Sequence, residues 1–485
     1  MAGTLTATVP TFSQAAQPST GGIWSPDRRA LSIGLVLTIT LVAFESLAVS
    51  TVMPIVSHDL GDLALYGWVF SAFFLGSLVG IVVVGGFIDR GGLARPFLIG
   101  LGLFGLGLVI DGLAPSMPIL VAGRFMQGLG GGAIPPTAYV AIGRSLPETL
   151  RPRMFATLST AWVLPGVLGP AIAGIVGEHL GWRVVFLGLL PLIALSGGLT
   201  LSALAAVPVG VSEREHEVAI ASARRLPRAV LVTIGAALTL AGLTAAEPAP
   251  ALGLIALGLL VGVPAFRLLT PAGTLRAARG LPATILLRGL LTCGFFATDA
   301  YVTLTLQSWR GLDPAVAGVA LTCATVSWTG GAWVQARGIT QRGARYFVRT
   351  GFAVVTLGVA LFATVLNPAV PVPVGMVGWT IAGFGMGLAY APLSLTVLQD
   401  ASPGGEGSAT SALQLSDVLG TALGTGAGGA AIALAARVAA PEWVGLGGAI
   451  GVGLGVLALG FGLTWRMAGR PTARATSELD RPIAA

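Results

Sequence analysis

The chain has 485 residues, of which 54% are hydrophobic and only 10% are charged, and its mean hydropathy is +0.87. This composition is far too apolar for a soluble domain, and the length suffices for many membrane spans. The net charge of +7 comes from arginine without any lysine, and most arginines lie in short loops or at the ends of apolar runs. Such placement orients a chain in a bilayer and does not indicate nucleic-acid binding.

Apolar runs of about 20 residues, the length that crosses a bilayer, recur along the chain in groups of six, two and six. Their predicted bounds are 31–56, 67–88, 96–114, 117–142, 154–177, 182–207, 229–246, 250–270, 282–306, 313–336, 346–366, 371–397, 408–436 and 443–466. The sequence therefore predicts an all-α polytopic membrane protein with fourteen transmembrane helices.

The predicted spans divide the chain into five segments. We expect a disordered tail, a first six-helix bundle, a linker with two extra transmembrane helices, a second six-helix bundle and a second tail, at residues 1–29, 30–207, 208–281, 282–466 and 467–485. No apolar segment with a small-residue cleavage site precedes the first span, so we expect no cleaved signal. The two extra helices carry no acid in their interior, and we expect them to pack outside the two bundles.

Arginine placement predicts the orientation in the membrane. With the N-terminus in the cytoplasm, 22 arginines fall on the cytoplasmic side, Arg183, Arg310 and Arg437 fall on the opposite side, and Arg124 and Arg288 lie inside spans. Because cytoplasmic loops are enriched in basic residues, we expect a multi-pass plasma-membrane protein with both termini in the cytoplasm. The second intramembrane arginine lies near the cytoplasmic end of its span and is interpreted as an anchor that snorkels to the interface.

The residue types that usually build enzyme sites are scarce. The two cysteines, Cys293 and Cys323, lie inside apolar segments and are interpreted as small core residues. We expect the three histidines, His58, His179 and His216, to lie in loops, since all three fall outside the predicted spans. The sequence therefore predicts neither a metal site nor a catalytic constellation, and we expect the protein not to be an enzyme.

Three carboxylates lie within predicted spans, where a charge is expensive and usually functional. They are Glu45 in the first span, Asp299 in the ninth and Asp417 in the thirteenth. At 1.5 Å per residue, Glu45 lies about 21 Å from the cytoplasmic end of its span, and Arg124 lies about 10 Å from the opposite surface of a core about 30 Å thick. Glu45 and Arg124 are therefore at the same depth, and we expect them to meet.

An acid opposite an arginine predicts a proton switch. The arginine favours the ionised carboxylate, whereas apolar surroundings favour the neutral acid. Proton uptake would release Glu45 from the arginine or from a cationic substrate. We expect proton coupling by Glu45, Arg124, Asp299 and Asp417, and the alternative is that each acid merely holds helices together. Asp111, near the outer end of the third span, is interpreted as an interfacial acid.

The two predicted bundles show a weak internal repeat. A shift of 254 residues places Glu45 on Asp299, and a shift of 251 residues places "PGVLGPAIAG" (165–174) on "SDVLGTALGT" (416–425). Halves related in this way place a binding site between them, near the middle of the membrane. The two acids would then face one shared site.

Three short motifs carry a resemblance to a known family. They are "GGFIDRGGLAR" after the second span, "RFMQGLGGG" in the fourth and "LPGVLGPAIAG" in the fifth. Over residues 30–470 the chain resembles major facilitator superfamily transporters of the fourteen-helix drug:proton antiporter kind. The resemblance implies the major facilitator fold and an exporter that is driven by the proton gradient without any cofactor.

The first motif resembles the gating loop of the family through Gly85, Asp89, Arg90 and Gly92. It departs from the family pattern in the two residues after Gly92, where basic residues are usual. We expect the Asp89 carboxylate to face the N-terminus of the thirteenth span, around "GGEGSAT", because the helix dipole favours a negative charge there. Asp89→Asn should then reduce transport more than binding. An ordinary solvated turn is the alternative interpretation.

The third motif resembles the Gly-Pro antiporter motif of the family, which favours export over uptake. Glycines that flank a proline let a span bend and let neighbouring helices slide, although ordinary membrane packing is the alternative interpretation. The residues that carry this resemblance are Gly166, Gly169, Pro170 and Gly174.

Three acids against one deep arginine favour amphipathic substrates that are cationic or neutral. We expect substrate contacts from Glu45, Gln127, Asp299, Trp162 and Trp328; the tryptophans offer aromatic faces to a cation, with helix packing as the alternative. Export of a lipid or an endogenous metabolite is the alternative function. A receptor or scaffold is disfavoured, because the longest loop has only about 20 residues. The expected partners are a small-molecule substrate, protons and the lipid bilayer, with no nucleic acid, and the expected state is a monomer.

Overall fold

The computed structural model describes residues 22–88, 93–147, 150–205, 213–402 and 406–467. Within these residues the chain forms sixteen α-helices, α1 to α16 in chain order: Arg29–Leu60, Tyr66–Ile88, Ala94–Gly112, Met117–Ser145, Arg151–Thr160, Val163–His179, Trp182–Leu187, Leu189–Ala205, Glu213–Leu243, Pro248–Leu269, Leu281–Leu304, Pro314–Arg342, Ala344–Ala363, Val372–Asp400, Glu406–Arg437 and Glu442–Leu463. A π-helical turn, Thr305–Trp309, extends α11. The predicted all-helical class is confirmed.

Twelve stretches of the described residues are long and apolar enough to cross a membrane, so the predicted count of fourteen spans is not confirmed. One of the twelve, Leu164–Ala205, has 42 residues. Within it α6 ends at His179, and Gly181 adopts a φ of 93° before α7 begins. Helix α4 is not among the twelve, because its arginine, glutamine, glycines and two internal prolines lower its hydropathy.

Three helix boundaries differ from the predicted ones. The fifth predicted span is divided into α5 and α6 at Ala161–Trp162, and the sixth is divided into α7 and α8 at Gly188. Helix α9 begins at Glu213, well before the predicted start at residue 229, because the charged stretch "EREHEVAIASARR" consists mostly of good helix formers. A high charge content lowers hydropathy without opposing the helix, so the predicted loop is helical.

The helices on either side of α9 and α10 form two groups. We call the face where α1 begins at Arg29 and α11 begins at Leu281 the tail face, and the face where those helices end the far face. Helices α1, α2 and α6 of the first group pack against α11, α15 and α12 of the second group, respectively. These three helix pairs form the seam between the groups.

The two groups are joined near the far face. One hydrophobic cluster there contains Val52 and Tyr66 from the first group and Tyr301, Leu304 and Ile432 from the second. Near the tail face each group instead packs a cluster of its own, one within residues 23–204 and the other within residues 281–413. The seam is therefore closed by shared apolar packing at the far face.

Helix α9 lies across the contact of α2 with α15. Val232, Ala236 and Leu240 of α9 share a buried cluster with Leu75 of α2 and Ala422 of α15. Helix α10 packs mainly against α9. The first extra helix is thus attached to both groups, while the second covers its outer side.

Candidate functional site

Helices α1 and α4 bring Glu45 to Arg124. The Arg124 guanidinium donates through Nη1 to Glu45 Oε1 in an ion pair and also donates to Gln127 Oε1. Its Nε donates to the carbonyl oxygen of Val69 at 3.3 Å, and its Cζ lies 4.6 Å from the ring centroid of Phe73. Glu45 is 1% exposed and Arg124 3%, so the ion pair is shielded from solvent. The predicted meeting of these two side chains is confirmed.

The glycines of "RFMQGLGGG" explain how this arginine reaches the interior. A Cβ atom on Gly128 would overlap the carbonyl oxygen of Phe73 in α2, and one on Gly130 would overlap the backbone of Gly100 and Phe104 in α3. Helix α4 therefore packs backbone to backbone against both neighbours, which draws the start of its motif deep between them. Gln127 lies one turn after Arg124 and is fully buried.

A second buried ion pair joins α11 to α15. Arg288 Nε donates to Asp417 Oδ1 at 2.8 Å, and Arg288 Nη1 donates to the Tyr390 carbonyl oxygen at 2.8 Å. The Tyr390 hydroxyl donates to Asp417 Oδ2 at 3.0 Å, and the Arg288 Cζ lies 3.0 Å from the Tyr390 ring centroid. The interpretation of Arg288 as a snorkelling anchor is wrong, because its side chain turns inward toward α14 and α15 and the residue is only 3% exposed.

The two halves do not repeat their ion pairs. The first half pairs an acid on its first helix with an arginine on α4, whereas the second half pairs an arginine on its first helix with an acid on α15. Asp299 lies on α11 one turn after Phe295 and is half-buried. Within the described part of the chain, its carboxylate has no hydrogen bond or ion pair.

Six aromatic side chains form a continuous row between the two ion pairs. We call this set the aromatic row, in spatial order Phe73, Phe74, Phe296, Phe295, Trp328 and Tyr390. Consecutive ring centroids lie 5.2–6.3 Å apart, and the row crosses the seam where Phe74 of α2 meets Phe296 of α11 at 6.3 Å. Arg124 lies over the first ring and Arg288 over the last. All of these rings except Phe295 are partly exposed.

The predicted tryptophans have different positions. Trp328 belongs to the aromatic row, with its ring 5.8 Å from Phe295 and 5.4 Å from Tyr390. Trp162 lies at the break between α5 and α6, with 45% of its side chain exposed, and is not part of the row. Trp379 is fully buried and stacks on Phe295 at 4.8 Å, so it supports the row from behind.

The Gly-Pro motif lies in the seam between α6 and α12. A Cβ atom on Gly166 would overlap Thr325, and one on Gly174 would lie 2.8 Å from the Ala315 backbone. A Cβ atom on Gly318 would likewise lie 2.9 Å from Pro170. Gly169 is less tightly enclosed, since its added Cβ atom would lie 3.6 Å from Phe44. These small residues let the two halves touch along the seam.

Polar groups reinforce the seam toward the far face, and sequence reasoning did not identify them. The Ser71 and Thr425 hydroxyls are 2.9 Å apart and join α2 to α15. Thr303 donates to the Ser50 carbonyl oxygen, and Gln307 Nε2 donates to the Thr51 carbonyl oxygen at 3.0 Å, which joins α11 to α1. Single hydroxyls in apolar runs carry no sequence signal of their own, because Ser and Thr also bond within their own helix.

The gating-loop motif is only partly described. Gly85 lies in the last turn of α2, while Asp89, Arg90 and Gly92 lie outside the described residues. The contact of Asp89 with the start of α15 therefore stays a prediction.

Asp111 is not the interfacial acid that the sequence suggested. It is completely buried in α3, because α3, α4 and α7 enclose the far-face end of that helix. Both of its carboxyl oxygens lack a hydrogen-bond partner among the described residues.

Comparison with known proteins identifies the family. The family model for the Major Facilitator Superfamily matches residues 35–425. The chain belongs to this superfamily. It is 30% identical over 425 residues to a probable multidrug-efflux transporter of Mycobacterium tuberculosis. That alignment covers 83% of this chain and 88% of the relative. It is also 28% identical over 427 residues to the drug efflux pump JefA of the same species, and this alignment covers 82% of this chain and 79% of that pump.

Solved structures of other transporters share the fold at low sequence identity. The POT family transporter PepTSo aligns with a TM-score of 0.65 at 15% identity, and the alignment covers 90% of this chain and 98% of PepTSo. The nucleoside transporter NupG aligns with a TM-score of 0.63 at 12% identity, and the alignment covers 90% of this chain and 100% of NupG. The two helix groups are therefore the two bundles of a major facilitator fold.

Proposed function

We propose that this protein is a proton-coupled antiporter that exports amphipathic, cationic or neutral drug-like compounds by alternating access. The observation that carries the proposal is the aromatic row, which crosses the seam between the bundles and ends at a buried ion pair on each side. Aromatic faces attract cations and stack on flat apolar rings, so such a row suits this class of substrate.

Charge within the bundles favours a cation over an anion. Both deep arginines are already paired with carboxylates. The Asp299 carboxylate, one turn from the aromatic row, has no basic partner among the described residues. A positive group stacked on Phe296 would lie near that acid. The names of the two mycobacterial relatives, a multidrug-efflux transporter and a drug efflux pump, support the same substrate class.

Proton coupling rests on the buried Glu45–Arg124 pair. Protonation of Glu45 removes its attraction to Arg124, and deprotonation restores it, so the packing of α1 against α4 depends on proton binding. Since α1 also forms the seam with α11, a change at this pair would reach the contact between the bundles. That linkage is what an exchange of protons for substrate requires.

Alternating access requires the seam to open at the far face. The far-face contacts are hydrogen bonds of hydroxyl and amide side chains, glycines and apolar side chains, without a salt bridge across the described seam, so they can separate at modest cost. We infer that the structure corresponds to the state that is closed at the far face. Substrate would then enter from the tail face and leave through the far face.

The proposal includes the topology in the membrane. A segment of 42 residues that contains the turn at Gly181 is twice the length that a bilayer needs, and the 29 residues of α4 also suffice to cross it. We propose that both cross fully, which makes fourteen spans, with the arginine-rich tail face in the cytoplasm of the plasma membrane. We further propose a monomer that uses no cofactor.

The proposal can be tested on purified protein in liposomes with an imposed pH gradient and ethidium as a cationic probe. The wild type should move ethidium against its gradient, and Phe74→Ala and Phe296→Ala should weaken ethidium binding. Trp333→Ala, which removes an exposed aromatic residue outside the row, is the matched control and should bind normally. Unchanged binding by both phenylalanine variants would contradict the proposed site.

A further inference from the structure

Asp111 is a buried acid that the Glu45–Arg124 pair leaves without a partner. Its side chain is 0% exposed and lies on α3 against Gly123, the residue before Arg124 in α4. A Cβ atom on Gly123 would overlap Asp111 Oδ1, so the glycine leaves the space that the carboxyl group occupies. Both carboxyl oxygens are buried without a hydrogen-bond partner in the described part of the chain.

The charge of Asp111 belongs to the same local group as the ion pair. Its carboxyl group lies against Gly123, which directly precedes Arg124 in α4, and Arg124 is the partner of Glu45. The other elements packed against α3 add little: α8 has no titratable side chain, α2 has only Tyr66, and Arg183 of α7 is paired with Asp59 at 2.9 Å. The local charge is therefore decided by two acids and one arginine.

Counting these charges shows where a proton belongs. With both acids ionised the group carries a net charge of −1, and with one acid protonated it is neutral. A net charge buried within a membrane protein is costly, so one of the two acids binds a proton. Glu45 holds the contact with Arg124, whereas Asp111 has no donor to stabilise a negative charge among the described residues.

We propose that Asp111 holds the transported proton in the state closed at the far face, while Glu45 is ionised and paired with Arg124. This assignment rests on the proposed antiport and adds a residue to it. When Asp111 releases its proton to water, its O–H bond breaks and the resulting carboxylate competes with Glu45 for Arg124. Glu45, released from Arg124, binds a proton from water as this happens, so the arginine alternates between the two acids and one acid of the group stays protonated.

The location of the proton can be measured on the wild-type protein by infrared spectroscopy. A protonated carboxyl group has a C=O stretch distinct from that of a carboxylate, and ¹³C in the carboxyl carbon shifts it. Protein made by cell-free synthesis with carboxyl-labelled aspartate should show a shifted band, whereas protein with labelled glutamate should not. The band should be absent in Asp111→Asn and retained in Asp299→Asn. A band that moves with labelled glutamate, or that persists in Asp111→Asn, would overturn the assignment.

Transport gives the second measurement. In liposomes, Asp111→Asn should bind ethidium as the wild type does, but its ethidium-dependent proton release should fall to that of protein-free liposomes. Asp62→Asn, which changes an exposed acid between α1 and α2, should release protons normally. If Asp111→Asn releases as many protons as the wild type, Asp111 does not carry the transported proton and serves packing alone. If the wild type itself exchanges no protons for ethidium, the proposed antiport fails, and the labelling experiment still decides whether Asp111 is protonated.

Discussion

Removing Arg288 tests whether the second ion pair stabilises the second bundle. Arg288→Ala removes the contact with Asp417 at 2.8 Å, the hydrogen bond to the Tyr390 carbonyl oxygen at 2.8 Å and the contact with the Tyr390 ring. It leaves the Asp417 carboxylate buried with only the Tyr390 hydroxyl as a donor among the described residues. Because breaking a buried pair from one side typically costs about 3–5 kcal/mol, we expect a loss of that size in the free energy of unfolding.

The partner variants separate charge from packing. Asp417→Asn leaves an amide that still hydrogen-bonds, so its cost should be smaller, about 1–3 kcal/mol. The double variant Arg288→Ala with Asp417→Ala buries no unpaired charge, and it should be more stable than the sum of its two single changes by about 0.5–3 kcal/mol.

The free energies can be measured by SDS-induced unfolding in mixed micelles, followed by circular dichroism. Arg267→Ala is the matched control, because it removes an exposed arginine near the tail face. Arg288→Ala with the stability of this control would refute the structural role of the ion pair. Strict additivity in the double variant would show that the two side chains are not coupled.

Three further predictions concern the seam and the substrate. Ser71→Cys with Thr425→Cys, with both native cysteines replaced by alanine, should form a disulfide that stops transport until it is reduced; transport by the oxidised protein would mean that the far face does not need to open. Gly166→Val should block transport at normal expression, whereas Gly198→Ala, which meets open space, should not; equal transport rates would leave the motif as ordinary packing. Asp299→Asn should lower the preference for ethidium over neutral dyes in competition assays while keeping proton release, and an unchanged preference would remove its role as the substrate anion.

Features that depend on depth in the membrane can be predicted from the sequence alone. The pairing of Glu45 with Arg124 follows from their positions, because residue number along a membrane helix converts directly into height in the bilayer. The all-helical class follows from similar arithmetic, because apolar runs of about 20 residues have the length of a helix that crosses a bilayer. Hydropathy is less informative at α4, where arginine, glutamine and glycine lower the hydropathy of a 29-residue helix.

Features that depend on the rotation of a helix cannot be predicted in this way. A membrane helix is apolar toward lipid as well as toward its neighbours, so its hydrophobic pattern does not say which side faces inward. For this reason the sequence suggests an anchor at Arg288 and an interfacial acid at Asp111, although both side chains are buried between helices. The aromatic row depends on the lateral arrangement of α2, α11, α12 and α14, which no spacing in the chain specifies.

Uphill transport by Glu45→Gln tests most directly whether Glu45 couples proton movement to substrate export. Glutamine keeps the size and the hydrogen bonding of glutamate but cannot titrate. In liposomes with an imposed pH gradient, we expect the variant to bind ethidium and to exchange it downhill, but not to accumulate it against its gradient as the wild type does. Accumulation by Glu45→Gln at the wild-type level, with the wild-type number of protons released per ethidium, would contradict this role for Glu45.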